Sequence, residues 1–433
     1  MPDILLLLAQ IAGVLVAARL VGRAVALIGQ PRVVGEMLAG IMLGPSLLGW
    51  AAPGLSHALF PPGSLGFLSA LSQIGLVFFM FLVGLELDLR LLRGQTRAAV
   101  ITSHASIILP FFLGACLALF LYPRLSDDSV SFAGFALFLG AAMSVTAFPV
   151  LARMLTEHGM LKTRLGSVTI AAAAVDDVTA WCILAVVIVV VRTAEATVSI
   201  PMMLGGTVLY VAAMLTAVRW GLRRLERVLE RRGGLSQDIV AIVVFFILAS
   251  AWTTERLGVH AVFGAFLAGV VMPRDEQLVR PLLDRFQDLM IILFLPLFFA
   301  FTGLRTHISL ITGDLWIYCA LIIAVAVLGK LGGSALAART SGMSWRDSWA
   351  IGTLMNTRGL MELVVLNVGL DIGVISPALF AMMVLMALVT TFMTSPVLAR
   401  IYPGRLLAAS RREQEAAIGL SPTTSPPHPQ RPG

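Results

Sequence analysis

The chain has 433 residues, 58% hydrophobic and only 13% charged, with a mean hydropathy of +0.93 and a formal charge of +7. That balance excludes a soluble globular domain and describes an all-α polytopic membrane protein, because lipid leaves no partner for an unpaired backbone group. The positive charge is then a topology signal and not a nucleic-acid surface. Cys116, Cys182 and Cys319 each fall in an apolar run and outline neither a disulfide nor a zinc framework.

In chain order, MPD opens straight into an apolar run with no basic leader and no small-residue cleavage site, so no cleavable signal is expected. Thirteen candidate spans follow, at about 4–28, 33–50, 66–87, 98–122, 131–155, 165–191, 199–219, 238–256, 259–273, 286–304, 314–338, 345–370 and 376–401. The connections are short, so residues 1–405 read as one transmembrane unit. Residues 406–433, ending in SPTTSPPHPQRPG, read as a disordered tail.

Basic residues set the expected orientation. Sorting the loops alternately puts twenty-three on one side, from Arg32 through the C-terminal segment, and only Arg124, Arg192, Arg256 and Arg305 on the other. The positive-inside rule then predicts an outside N-terminus and a cytoplasmic C-terminus.

An internal repeat is visible. GEMLAG (Gly35–Gly40) in the second span echoes GAFLAG (Gly264–Gly269) in the ninth, and FLVGLELD (Phe81–Asp88) in the third echoes FAFTGLRT (Phe299–Thr306) in the tenth. Both matches lie seven spans apart, and an odd offset inverts one copy relative to the other. Inverted repeats around a midplane site are a mark of secondary transporters.

The same offset pairs the fifth span with the twelfth. The fifth contains Ser144-Val145-Thr146-Ala147-Phe148-Pro149, where the proline removes an N–H and predicts a kink or break. Freed carbonyls and the Thr146 hydroxyl are then available to a cavity. The twelfth carries Asn356, Thr357, Arg358 and Gly359, a second expected break without a proline to enforce it. Arg358 and Glu362 stand four apart, spaced to neutralise each other on one helical face.

The most informative stretch is AAAAVDDVTAW (Ala171–Trp181), which sets Asp176 and Asp177 side by side near the middle of an apolar span. Each carboxylate at bilayer depth costs at least about 2.5–3.5 kcal/mol, and an ionisable residue there is a functional candidate by default. The alanines before the pair permit close approach of a neighbouring helix. Only Lys162 and Lys330 are lysine among 31 basic residues. Lys330 lies within the eleventh span, and a buried lysine, unlike arginine, is able to release its proton. It is therefore expected as a titratable partner of the acid pair, while Arg305 is expected at the membrane boundary.

Taken together, GEMLAGIMLGPSLLG, FLVGLELD, SVTAFPVLARML, VDDVTAW, GAFLAGVVMP, LPLFFAFTGLRT and NTRGLMELVVLNVGLD resemble the monovalent cation:proton antiporter-2 family, which includes Kef, NapA and the plant CHX exchangers. They cover nearly all of residues 30–372 in the family's order. The resemblance implies a core domain with two crossed broken helices and a separate dimerisation domain. It also implies Asp177 at the cation position, Asp176 facing Lys330 in a salt bridge, and Thr146 at the break. CHX members often carry Asn for the first acid, whereas this chain keeps both, as electrogenic sodium exchangers do. No nucleotide-binding domain of the Kef type is expected in the tail.

The expected function is secondary antiport of Na⁺ or K⁺ against protons by alternating access, with Asp177, Thr146 and freed carbonyls as hard oxygen ligands. The alternative is a Kef-like potassium efflux system lacking its regulatory domain. An intramembrane aspartyl protease is disfavoured, because adjacent residues on a helix point about 100° apart and cannot flank one scissile bond. A filter-bearing channel is disfavoured because no TVGYG-like segment is present. The chain is thus not expected to be an enzyme and requires no cofactor beyond the transported ions. Its expected partners are monovalent cations, protons, the bilayer of the cell membrane and a second copy in a homodimer.

Overall fold

The computed structural model describes residues 4–86, 97–126, 130–157, 160, 163–195, 200–222 and 236–403, and the regular structure among them is helical throughout. The expected tail, Asp88 and Lys162 lie outside the described residues. In chain order the principal helices are α1 (Ile4–Leu27), α2 (Arg32–Leu43), α3 (Leu65–Glu86), α4 (Arg97–Leu125), α5 (Phe132–Ser144), α6 (Phe148–Glu157) and α7 (Arg164–Glu195). They continue with α8 (Ile200–Ala213), α9 (Gln237–Arg256), α10 (Ala261–Val271), α11 (Glu276–Leu289) and α12 (Leu295–Leu304). The last five are α13 (Leu315–Val327), α14 (Gly333–Thr340), α15 (Trp345–Met355), α16 (Leu360–Asp371) and α17 (Pro377–Ile401). Serine side chains cap the starts of several: Ser131 for α5, Ser236 for α9, Ser344 for α15 and Ser376 for α17. Single π-helical turns at Met290–Phe294 and Leu328–Gly332 join α11 to α12 and α13 to α14.

Eleven helical segments among the described residues are long and apolar enough to cross a bilayer, against the thirteen expected. The two shortfalls have separate causes. Helix α10 has only 11 residues, and the twelfth expected span is divided between α15 and α16, with 11 and 12 residues each.

The repeat seen in the sequence has a packing reason. Helix α2 lies against α12, and α3 against α10. At the first crossing Gly40 faces the backbone of Phe299, and Gly303 faces that of Gly40. At the second, Gly84 faces the backbone of Phe266, and Gly269 that of Phe81 and Gly84. A Cβ at any of the four would collide with main chain, so the echoing motifs are two copies of one glycine-mediated close crossing.

These crossings build one body from α1–α3 and α9–α12. A second body comprises α4–α7 and α13–α17, in which α4 packs on α5, α7 and α14, and α17 on α13, α15 and α16. The candidate site lies within the second body.

Candidate functional site

Two helix interruptions meet at the centre of the second body. Helix α5 ends at Ser144, the chain is non-helical through Val145, Thr146 and Ala147, and α6 begins at Phe148. Pro149 occupies the first turn of α6, where a missing N–H costs nothing and its fixed φ suits a helix start. Helix α15 ends at Met355, Thr357–Gly359 are non-helical, and α16 begins at Leu360. The two breaks touch directly: the Ala147 N–H donates to the Thr357 carbonyl at 3.0 Å. A side chain on Gly359 would press on Val150 and Ala147, so glycine permits the crossing.

Interrupting a helix exposes backbone ends inside an apolar medium, and side chains close them here. Arg358, fully buried, donates to the carbonyls of Ala142 (3.0 Å) and Met143 (2.6 Å) in the last turn of α5, and pairs with Glu362 at 2.7 Å. A cation is thereby held at the negative end of the α5 dipole, and an acid in the first turn of α16. From α17, Thr391 accepts from the Arg358 N–H (3.0 Å) and donates to its carbonyl (2.6 Å). Asn356 is buried beside these groups.

The acid pair lies on α7, beside the break in the α5–α6 segment. Asp176 accepts from Ser103 at 3.1 Å on Oδ1, and from Ser106 (2.5 Å), Thr146 (2.9 Å) and Lys330 (2.9 Å) on Oδ2. Lys330 also donates to the Thr146 hydroxyl at 2.5 Å, so that hydroxyl bridges lysine and carboxylate. The Lys330–Asp176 pair is fully buried. Lys330 sits in the π-helical turn, where neighbouring glycines let α4 approach: a Cβ on Gly329 would stand 3.0 Å from Pro110.

Asp177 is the opposite case. It is 3% exposed, yet neither oxygen has a hydrogen-bond partner. The Phe148 amide at the start of α6 is directed at it without closing a bond. Phe148 and Pro149 also line a cavity of about 320 Å³ between the two bodies, bordered by Glu36, Glu86, Arg153 and Gln287. The cavity thus reaches the residue that faces the free carboxylate.

Charge at the site is unbalanced by one. The buried charged residues of the described chain are Asp176, Asp177, Lys330, Arg358 and Glu362. Three carboxylates stand against two cations, and an uncompensated ion in this medium is expensive. One monovalent cation or one proton at Asp177 restores neutrality.

Asp176, Asp177, Lys330, Thr146, Pro149, Asn356, Thr357, Arg358, Gly359 and Glu362 gather at these breaks, with one difference from expectation. Thr146, expected to reach a cavity as a cation ligand, has its hydroxyl engaged between Lys330 and Asp176. Ser103, Ser106 and Thr391 were not anticipated. The polar cluster Thr102-Ser103-His104-Ala105-Ser106 inside an apolar span was the available signal for the first two. Arg305 ends α12 and pairs with Asp371 at 2.7 Å.

Residues 12–401 match the family profile described as sodium/hydrogen exchanger, transmembrane. The Na(+)/H(+) antiporter NhaS4 of Synechocystis sp. is 44% identical over 402 residues, 92% of this chain and 98% of that protein. Cation/H(+) antiporter 17 of Arabidopsis thaliana is 39% identical over 405 residues, 93% of this chain but 49% of that protein, so the chain spans about half its length. Among solved structures, the sodium proton antiporter MjNhaP1 from Methanocaldococcus jannaschii aligns with a TM-score of 0.64 over 93% of this chain and 98% of that one. Its 14% identity makes that a likeness of fold alone. With the profile covering almost the whole helical part, the chain belongs to the sodium/hydrogen exchanger family.

Proposed function

We propose that the protein is a secondary antiporter exchanging Na⁺ or K⁺ for protons by alternating access, with Asp177 as the shared site. The observation that carries this reading is the contrast between the two acids: Asp176 is saturated by four donors, while Asp177 is buried without a hydrogen-bond partner and faces Phe148, which lines the cavity. A site that neutralises one charge accepts a cation or a proton but not both, and that competition enforces exchange. A hard carboxylate oxygen suits an alkali cation. Arg358 and Glu362 hold the half-helix ends in place around the site, and Lys330 pairs with Asp176 beside it.

The positive-inside reading puts the cavity on the cytoplasmic side, since Glu86, Arg153 and Gln287 border the basic loops. The conformation is then inward-facing, in a cell membrane, with an outside N-terminus and a cytoplasmic C-terminus. The family is one of transporters and not of enzymes, and two copies would pair through the first body, leaving the body that holds the site free to move.

The experiment is proteoliposome exchange followed with an internal pH dye. Na⁺ or K⁺ added against its gradient should move protons the other way, and Asp177→Asn should abolish the response. Cation flux without counter-movement of protons would overturn the reading in favour of a channel.

A further inference from the structure

The motifs TGLR in α12 and LNVGLD in α16 have no part in the ion site, yet they meet. Thr302 and Arg305 stand one turn apart on α12, and Asn367 and Asp371 one turn apart on α16. The Asn367 amide donates to the Thr302 hydroxyl at 2.8 Å, and Arg305 donates to the Asn367 carbonyl oxygen at 3.1 Å while pairing with Asp371 at 2.7 Å. The inner rung is dry, with Thr302 2% and Asn367 6% exposed. The outer rung is partly exposed, with side chains of Arg305 and Asp371 23% and 36% exposed. The interlock therefore reaches from the packed interior to the protein surface.

Its position relative to the cavity gives it meaning. Leu295, the first residue of α12, and Leu360, the first of α16, both line the cavity. Each helix then runs about 15 Å, at 1.5 Å per residue, to its end of the interlock. The two helices belong to different bodies, so these bodies are parted at one end of the pair and pinned at the other. The repeat makes the same point. Aligning Gly84-Leu85 with Gly303-Leu304 sets Arg305 in the place of Glu86, and Glu86 lines the cavity on the opposite side.

We infer that Thr302, Arg305, Asn367 and Asp371 form the latch that closes the side opposite the cavity. The latch must open for Asp177 to reach that side, and its strength sets the balance between the two facing states. The inference rests on the alternating-access reading. In transport terms these are positioning residues, since none touches the ion.

The test uses the full chain with Cys116, Cys182 and Cys319 replaced by serine and Ala152→Cys placed in the cavity wall. A membrane-impermeant maleimide added from the cavity side then reports cavity opening. Arg305→Gln and Asp371→Asn should each slow labelling by about threefold, the scale expected for a half-exposed ion pair. The double exchange Arg305→Asp with Asp371→Arg should restore it. Thr302→Val, which keeps volume and removes only the dry hydrogen bond, serves if the charge variants do not fold. Labelling unchanged in Thr302→Val and in every folded charge variant overturns the latch. Absence of cation-driven proton movement by the unmodified chain in liposomes would instead strike the antiport reading, which the labelling does not measure.

Discussion

Asp176 accepts hydrogen bonds from four side chains, whereas Asp177, the next residue on α7, accepts none although it is equally removed from solvent. Successive positions on a helix differ in azimuth by about 100°. That rotation turns one acid toward α4 and Lys330, and the other toward the start of α6.

The two acids should therefore respond oppositely to substitution. Asp177→Asn removes no hydrogen bond and relieves a surplus negative charge, so it should abolish exchange while leaving thermal stability in detergent unchanged or raised. Asp176→Asn leaves Lys330 buried without its counter-ion and should lower stability by about 3–5 kcal/mol. Equal loss of stability in both variants would contradict the division of roles.

Thr146→Ala removes the hydroxyl shared by Lys330 and Asp176. The exposed cost is that of a buried group bonded to charges, about 1–3 kcal/mol. Exchange should persist with weakened apparent cation affinity, measured as the half-saturating Na⁺ or K⁺ concentration in proteoliposomes. A Thr146→Ser variant should recover it, because serine retains the bridging oxygen.

Lys330 offers a test of stoichiometry. If cation binding at Asp177 loosens the Lys330–Asp176 pair, lysine releases a proton in addition to the one leaving Asp177, and two protons move per cation. Such a cycle carries one net charge, driven by about 2.3 kcal/mol per 100 mV. Exchange should then respond to a valinomycin-set potential, and Lys330→Gln should remove that response. Rates indifferent to voltage in the unmodified protein would exclude this cycle.

Arg358 is expected to be structural. Its guanidinium serves Glu362 and two carbonyls of α5 at once. Arg358→Lys keeps the charge but not the planar fork, so it should still destabilise. Arg358→Leu strands Glu362 and the carbonyl ends, and a loss of about 3–5 kcal/mol is expected from thermal melts.

The glycine crossings predict a symmetric effect. Gly303→Ala and Gly269→Ala each drive a Cβ into backbone, at α2 and α3 respectively. Overpacking of this kind costs about 1–3 kcal/mol, and the two variants should lose similar amounts of thermal stability.

Residue chemistry along the chain is enough to specify the helical membrane class, the repeat and the residues that gather at the two breaks. Apolar length decides what must be helix in lipid, and ionisable residues there are too costly to be incidental, so Asp176, Asp177 and Lys330 stood out unaided. The Gly-Leu echoes disclosed the inverted repeat because close crossing admits no side chain, and that steric rule acts on residue identity. Pro149 and the Asn356–Gly359 run marked both interruptions for the same local reason. Tertiary structure alone decided the rest. Which acid is saturated and which is bare depends on Ser103, Ser106 and Thr146 arriving from other helices, and no spacing within α7 encodes that. The capping of α5 by Arg358, across more than two hundred residues, and the pairing of Arg305 with Asp371 depend on how distant helices cross. Contacts between residues far apart in the chain are set by the packing of whole helices, whereas caps, breaks and apolar length are set within a few turns.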